Sequence, residues 1–172
     1  MTAESQPSAA SREHSLTRAL RALLARRRTA ALGTVDASGA AFVSLVPFAV
    51  DTASASLVIH VSALAAHSQN LQAHPQASLM VADGEVAGQP VHALARVSIA
   101  VQASWAEPGS ALAAQCRAAY LARFPEAEPI TQLGDFRFVR LTPQGARQVA
   151  GFGAARSLSA DEVAQVLKPA AA

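Results

Sequence analysis

The chain has 172 residues, of which 51% are hydrophobic and 15% are charged, and its net charge at neutral pH is +2. This balance predicts one domain with a sizeable core and argues against a disordered chain. A nucleic-acid-binding surface needs a broad basic face, and the sequence does not show one. A membrane span needs about 18 consecutive apolar residues, and the sequence has no such run. We therefore expect a cytoplasmic protein that binds neither nucleic acid nor membrane.

The first residues are small and polar, and they predict a disordered tail over residues 1–13. A single domain is expected to follow over residues 14–169. Its first helix is predicted over residues 15–28, with Ser15 as N-cap and an apolar stripe of Leu16, Leu20, Leu23 and Leu24. The helix dipole favours the cations near its end, which are Arg18, Arg21, Arg26, Arg27 and Arg28.

The hydrophobic period then changes to that of strands. TAALGTV (29–35) and AFVSLVPFAVD (41–51) flank the turn DASGA and predict a hairpin. Because proline cannot donate to a ladder, Pro47 predicts an edge, a bulge or a ligand-facing position. A third strand (57–62), a short helix (64–74) and a fourth strand (77–83) follow.

The second half continues with a long fifth strand (92–107) and a helix from Pro108 to Phe124, in which Cys116 is expected only to pack. A connector precedes the half-exposed strand FRFVRLTP, and Gly145 is predicted to turn the chain. SADE is a capping box for a last helix over residues 159–167. Six or seven strands and about four helices predict a mainly β, α+β fold, an antiparallel barrel with helical additions.

The segment over residues 57–79 carries the strongest chemical signal, because short polar side chains gather at a predicted helix start. Backbone N–H groups there, with hydroxyl and amide groups, suit a phosphate. The residues are Ser62, His67, Ser68, Gln69 and Asn70. The alternative for His67 and Asn70, three apart on one helix face, is a polar surface toward solvent.

The remaining sequence patterns argue against several functions and identify no catalytic residue. The sequence contains no Gly-x-Ser-x-Gly elbow, P-loop or dinucleotide fingerprint, and its paired acids lie in loops or at a helix start, so a hydrolase is poorly supported. Cysteine and histidine do not cluster at zinc-ligand spacing, and no metal site is expected. No catalytic residue is identified from the residues alone.

The order of four segments resembles a known family. They are LLARRRTAALGTVDASGAAFVSLVPFAVD, SALAAHSQNLQAHPQASLMV, ARVSIAVQA and YLARFPEAEPITQLGDFRFVRLTPQGARQVAGFGAA. Together they resemble the FMN-binding split β-barrel group related to pyridoxamine 5′-phosphate oxidase, and within it the haem-utilisation (HugZ-like) branch. The resemblance implies a split antiparallel β-barrel, a homodimer with two FMN sites at the subunit interface, and a flavin-dependent oxidoreductase with FMN as cofactor.

The resemblance also implies roles for particular residues. The second strand, with Ser44, Val46 and Pro47, would run along the isoalloxazine ring, and Arg96 would reach the flavin from the partner subunit. The phosphate would be received by the segment that contains Val61, Ser62, His67, Ser68, Gln69 and Asn70.

Two departures from the family pattern keep an alternative open. The oxidase has Arg and Lys in the phosphate segment, where this chain has Ala66, His67 and Gln69, so charged phosphate contacts are lost. Haem-degrading relatives use a histidine near the C-terminus, positioned by an acidic residue that matches Asp135, but no histidine follows His92 here. Because that iron ligand is missing, flavin binding ranks above haem degradation. The alternatives are haem binding or degradation, or a non-enzymatic flavin or haem module.

Overall fold

The computed structural model describes residues 9–151 and 153–169. The helices of this part of the chain are α1 (Ala9–Arg26), α2 (Ala66–Ala73), α3 (Ala111–Arg123) and α4 (Ala160–Leu167). The strands are β1 (Thr29–Val35), β2 (Ala41–Pro47), β3 (Ala49–Asp51), β4 (Ser56–Ser62), β5 (Gln76–Ala82), β6 (Arg96–Trp105), β7 (Phe136–Val149) and β8 (Ala155–Ser159). Among the described residues, no helix is both long and apolar enough to cross a membrane.

All the strands belong to one antiparallel sheet, which curls into a half-barrel. Its order is β2-β1-β5-β6-β7-β4-β3, with β8 added on β7. The β1–β2 hairpin pairs Thr29 with Pro47, so Pro47 ends an edge strand, as its missing N–H requires. The predicted fold class, a mainly β split antiparallel barrel with helices, is confirmed.

Strand β7 has 14 residues and pairs with three strands. Its first half pairs with β4 and its last residues pair with β8, while β6 lies along the other edge. Ala100 pairs with Gly145 and Val101 with Pro143, so Gln144 is an extra residue that forms a bulge. The prediction that Gly145 turns the chain is therefore wrong, because the strand continues through the bulge.

Other boundaries also differ from the sequence-based prediction. The predicted second strand breaks at the buried Phe48, whose N–H bonds to the Arg28 carbonyl, and β3 then pairs with β4. Helix α1 begins at Ala9 and ends at Arg26, whereas the predicted helix covered residues 15–28. Most of the predicted disordered tail, residues 1–8, lies outside the described residues.

The sheet carries apolar clusters on both faces. Within β4, Leu57 and Ile59 point into the barrel, whereas Val58 points to the outer face. Helix α3 covers this outer face and contributes Cys116 and Tyr120, both buried. Cys116 therefore packs in the core, as predicted.

The arginines near the end of α1 make contacts within the chain. Arg26 pairs with Asp83, and Arg28 pairs with Glu126. From α3, Arg123 donates to the carbonyl oxygens of Leu24, Ala25 and Arg27. A cation at the carbonyl end of a helix satisfies orphan acceptors and complements the dipole, so Arg123 fastens α1 to α3.

We expect Gly145→Ala to destabilise the fold by at least about 1 kcal/mol, because an alanine is strained in this conformation. Gly145 has φ +155°, and a Cβ there would lie 3.2 Å from the Leu158 carbonyl oxygen on β8. Urea unfolding measures the change. Gly134→Ala is the control, since a Cβ at that site would meet no atom within 4 Å. Equal stability of the two variants would contradict the role of the bulge.

Candidate functional site

The segment predicted to hold a cofactor, residues 61–70 (the cofactor segment), is fastened to the start of β7. The Ser62 hydroxyl donates to the Asp135 carboxylate at 2.7 Å, and the Ala63 N–H donates to the Asp135 carbonyl at 2.8 Å. The Leu64 N–H in turn donates to the Ser62 hydroxyl oxygen at 3.2 Å. Asp135, 73 residues away in sequence, thus becomes part of this turn.

Two polar side chains of α2 point inward. Ser68 is 0% exposed and donates to the Ser62 carbonyl at 2.6 Å. Asn70 is 8% exposed, and its amide donates to the Thr34 hydroxyl of β1 at 3.0 Å. The alternative of a solvent-facing polar surface is therefore wrong for Asn70, whereas Gln69 is exposed.

His67 connects α2 to the edge strand β2. Its Nδ1 lies 3.0 Å from the Ser44 hydroxyl, and its buried Nε2 has no hydrogen-bond partner among the described residues. Burial lowers the pKa of His67, so the imidazole is neutral at physiological pH. A neutral imidazole with one nitrogen held and the other unpartnered has the arrangement of a metal-ligating histidine.

The other predicted residues divide between core and surface. Val46 and Val61 are buried in the barrel core, and Pro47 is exposed at the end of β2. Arg96 begins β6 and donates to the Leu94 carbonyl at 3.0 Å; within the described chain no hydrogen bond joins it to the cofactor segment. Folding thus brings Ser44 to His67 and Ser62 to Ser68, with Arg96 on a different part of the sheet.

A phosphate fits the cofactor segment poorly as it stands. The Ser62, Ser68 and Asn70 donors already serve acceptors within the chain. The Asp135 carboxylate at the turn would also repel a phosphate. The assignment of these residues to FMN stays a prediction.

A second feature, which sequence reasoning missed, is a cleft between the first turns of α3 and the start of β7 (the α3 cleft). Its volume is about 400 Å³, and its lining includes His60, Ser110, Ala114, Arg117, Leu133 and Phe136. The sequence signal was a single imidazole inside the otherwise apolar strand LVIHVS.

His60 is 7% exposed and lies in an aromatic cluster. Its ring centroid is 4.2 Å from that of Phe138 and 5.2 Å from that of Phe136. Burial lowers the pKa of His60 to about 4, and within the described chain no hydrogen bond to its ring contributes to that shift. The cleft therefore contains a neutral imidazole that no described side chain binds.

Comparisons with known proteins identify the family. The family model described as pyridoxamine 5′-phosphate oxidase matches residues 16–150. HutZ of Vibrio cholerae, named a haem oxygenase, is 36% identical over 138 residues, which are 80% of this chain and 77% of HutZ.

Solved structures of other proteins have the same fold as this chain. A haem-binding protein from Mycobacterium smegmatis superposes with a TM-score of 0.77 at 26% identity, over 94% of this chain and 62% of that one. The crystal structure of HutZ, described as the haem storage protein from Vibrio cholerae, gives a TM-score of 0.70 at 33% identity, over 76% of this chain and 92% of that one.

Thr34→Val should destabilise the protein by about 1–3 kcal/mol, because a buried Asn70 amide loses its acceptor and gains no water. Urea unfolding at constant pH measures the loss. Thr52→Val, at an exposed turn position, is the matched control. If both variants unfold like the wild type, the buried amide does not anchor the cofactor segment.

Proposed function

The chain belongs to the pyridoxamine 5′-phosphate oxidase family, and on this basis we propose that it is a haem-binding protein. The observation that carries the proposal is the 36% identity to HutZ along 80% of this chain. HutZ is named a haem oxygenase in one comparison and a haem storage protein in the other, and both names have haem in common. Binding of haem is accordingly the function proposed.

The donor groups of the chain fit a haem better than a phosphate. Haem iron takes a neutral imidazole as axial ligand. Both His60 and His67 are kept neutral by burial, and each has a ring nitrogen that no described residue binds. An iron that reached either nitrogen would gain a ligand without breaking a hydrogen bond at that atom.

When bound, haem would supply an iron centre for electron transfer or oxygen binding. The chain's own residues would bind and orient it. Asp135 would hold the turn next to the site through Ser62. The apolar walls around His60 would exclude water from one side of the ligand.

Flavin binding is the second candidate, favoured by the match to the oxidase family model over residues 16–150. It would make the protein a flavin-dependent oxidoreductase. The Ser62–Asp135 contact counts against it, since a phosphate would have to displace or approach a carboxylate.

Haem and FMN titrations of the purified chain separate the two candidates. We expect a saturable Soret band with a single haem per chain and a dissociation constant of about 1 μM or lower. FMN fluorescence should remain unquenched. The same titration of the urea-unfolded chain measures non-specific uptake. Quenching of FMN without a Soret change would reject haem in favour of flavin.

We also propose that the protein acts as a homodimer. The outward face of the edge strand β2 exposes Val43 by 66% and Leu45 by 73%. Leu45 pairs with Ala31, which in turn pairs with Met80, and Val43 pairs with Gly33, so an apolar face extends across these strands (the edge patch). Exposed apolar faces on edge strands are covered in stable proteins, and a second copy presents the same complementary surface.

Leu45→Glu should convert the dimer to a monomer, because it places a charge in the centre of the edge patch. Size-exclusion chromatography with light scattering measures the mass. Val86→Glu, an exposed loop position outside the patch, is the control and should leave the dimer intact. A wild-type chain that elutes as a monomer would remove the proposal.

A further inference from the structure

The α3 cleft carries three kinds of group that match the three parts of a haem. Its wall is apolar and aromatic, with Phe136, Phe138 and Leu133. Its buried end contains the neutral imidazole of His60, and two guanidinium groups, Arg117 and Arg137, also line it. A haem has an apolar macrocycle, an iron that accepts an imidazole, and carboxylate groups at its edge.

Strand geometry explains why these groups meet. His60 pairs with Phe138 and Ser62 pairs with Phe136, so all four side chains share the outer face of β4 and β7. Helix α3 covers this face only in part, because its N-terminal turns open onto the cleft at Ser110 and Ala114. The face is therefore apolar and mostly covered, and the α3 cleft is the part of it that stays open to solvent.

His60 is the unusual residue on this face. The imidazole is 7% exposed, and no hydrogen bond from a described residue reaches it. Its ring nitrogens are not among the fully buried, unpartnered side-chain atoms of the described residues, so they border the cleft. A ligand in the cleft can therefore bind one of them, whereas packing alone would be served as well by leucine.

The arginines retain hydrogen-bonding capacity for carboxylates. Arg137 uses only Nη1 to bind the Gly134 and Phe136 carbonyl oxygens. Arg117 uses Nη2 to bind Glu128, at a partly exposed position. Guanidinium groups recognise carboxylates through two parallel N–H donors, so these positions suit the carboxylate edge of a planar ligand. The N-terminus of α3 adds positive potential at the same end.

We propose that haem binds in the α3 cleft with His60 as its axial iron ligand. This inference rests on the proposed haem-binding function and identifies its site. A cleft of about 400 Å³ is at the lower end of small-molecule sites, so the macrocycle would be only partly enclosed and its carboxylates would stay near the surface. His67, the other unpartnered imidazole, is the competing ligand, and the experiment separates the two.

The test compares His60→Leu with His67→Leu, both loaded with haem as the full chain. Resonance Raman and electron paramagnetic resonance spectra report histidine ligation independently of any activity. We expect His60→Leu to lose the histidine-ligated signature and at least about tenfold in affinity. Added imidazole should restore the signature, while His67→Leu should keep the wild-type spectrum. Urea unfolding of the apo variants checks that both fold, and His60→Gln replaces His60→Leu if that variant does not.

A second pair of variants tests the carboxylate contacts. Arg117→Gln and Arg137→Gln should each weaken haem binding by roughly three- to tenfold without changing the ligation spectrum. Arg147→Gln, on an exposed part of β7, is the control and should bind as the wild type does. Unchanged affinity in both cleft variants would overturn the assignment of haem to this cleft.

The outcomes distinguish this inference from the function on which it rests. A wild-type chain that takes up no haem overturns both. A wild-type chain that binds haem, with His60→Leu retaining the full histidine signature, overturns the assignment of His60 and leaves haem binding in place. Loss of the signature in His67→Leu alone would assign the iron to His67 instead.

Discussion

Strand β7 sets the positions of three other strands of the sheet. It pairs with β6 along one edge, and with β4 and then β8 along the other. A straight strand would hold these partners in one plane, whereas the extra residue at Gln144 bends it and lets the two halves of its edge face different partners. Pro143, which has no N–H to donate, and Gly145, which takes a positive φ, are both suited to this bulge.

The chemistry follows from where β7 begins. Its first residues lie beside the last residues of β4, so Asp135 meets Ser62 and Phe138 meets His60. The pairing of β4 with β7 therefore positions both the cofactor segment and the aromatic residues that line the α3 cleft. Helix α3 covers the outer apolar cluster but opens at its N-terminal end. A cleft next to the polar turn results from this incomplete cover.

The hydrogen bonds of the cofactor segment bear directly on the choice of ligand. Side chains that look like phosphate donors in sequence are used to fasten α2 to β1 and β4, through Asn70 to Thr34 and Ser68 to Ser62. Buried donors that already have partners gain little from a ligand. The imidazoles of His60 and His67 differ, because each keeps a nitrogen without a described partner.

From the sequence alone we could predict most of the strands and helices, the β1–β2 hairpin and the Ser159 capping box, because these depend on neighbours a few residues apart. The sequence also located the polar segment around Ser62 and Asn70. Three features are visible only in the tertiary structure: the bulge at Gln144, the pairing of β8 with β7, and the inward position of Asn70 against Thr34. Each of these depends on contacts between residues far apart in sequence, as does the pairing that gives His60 its aromatic neighbours and an open cleft.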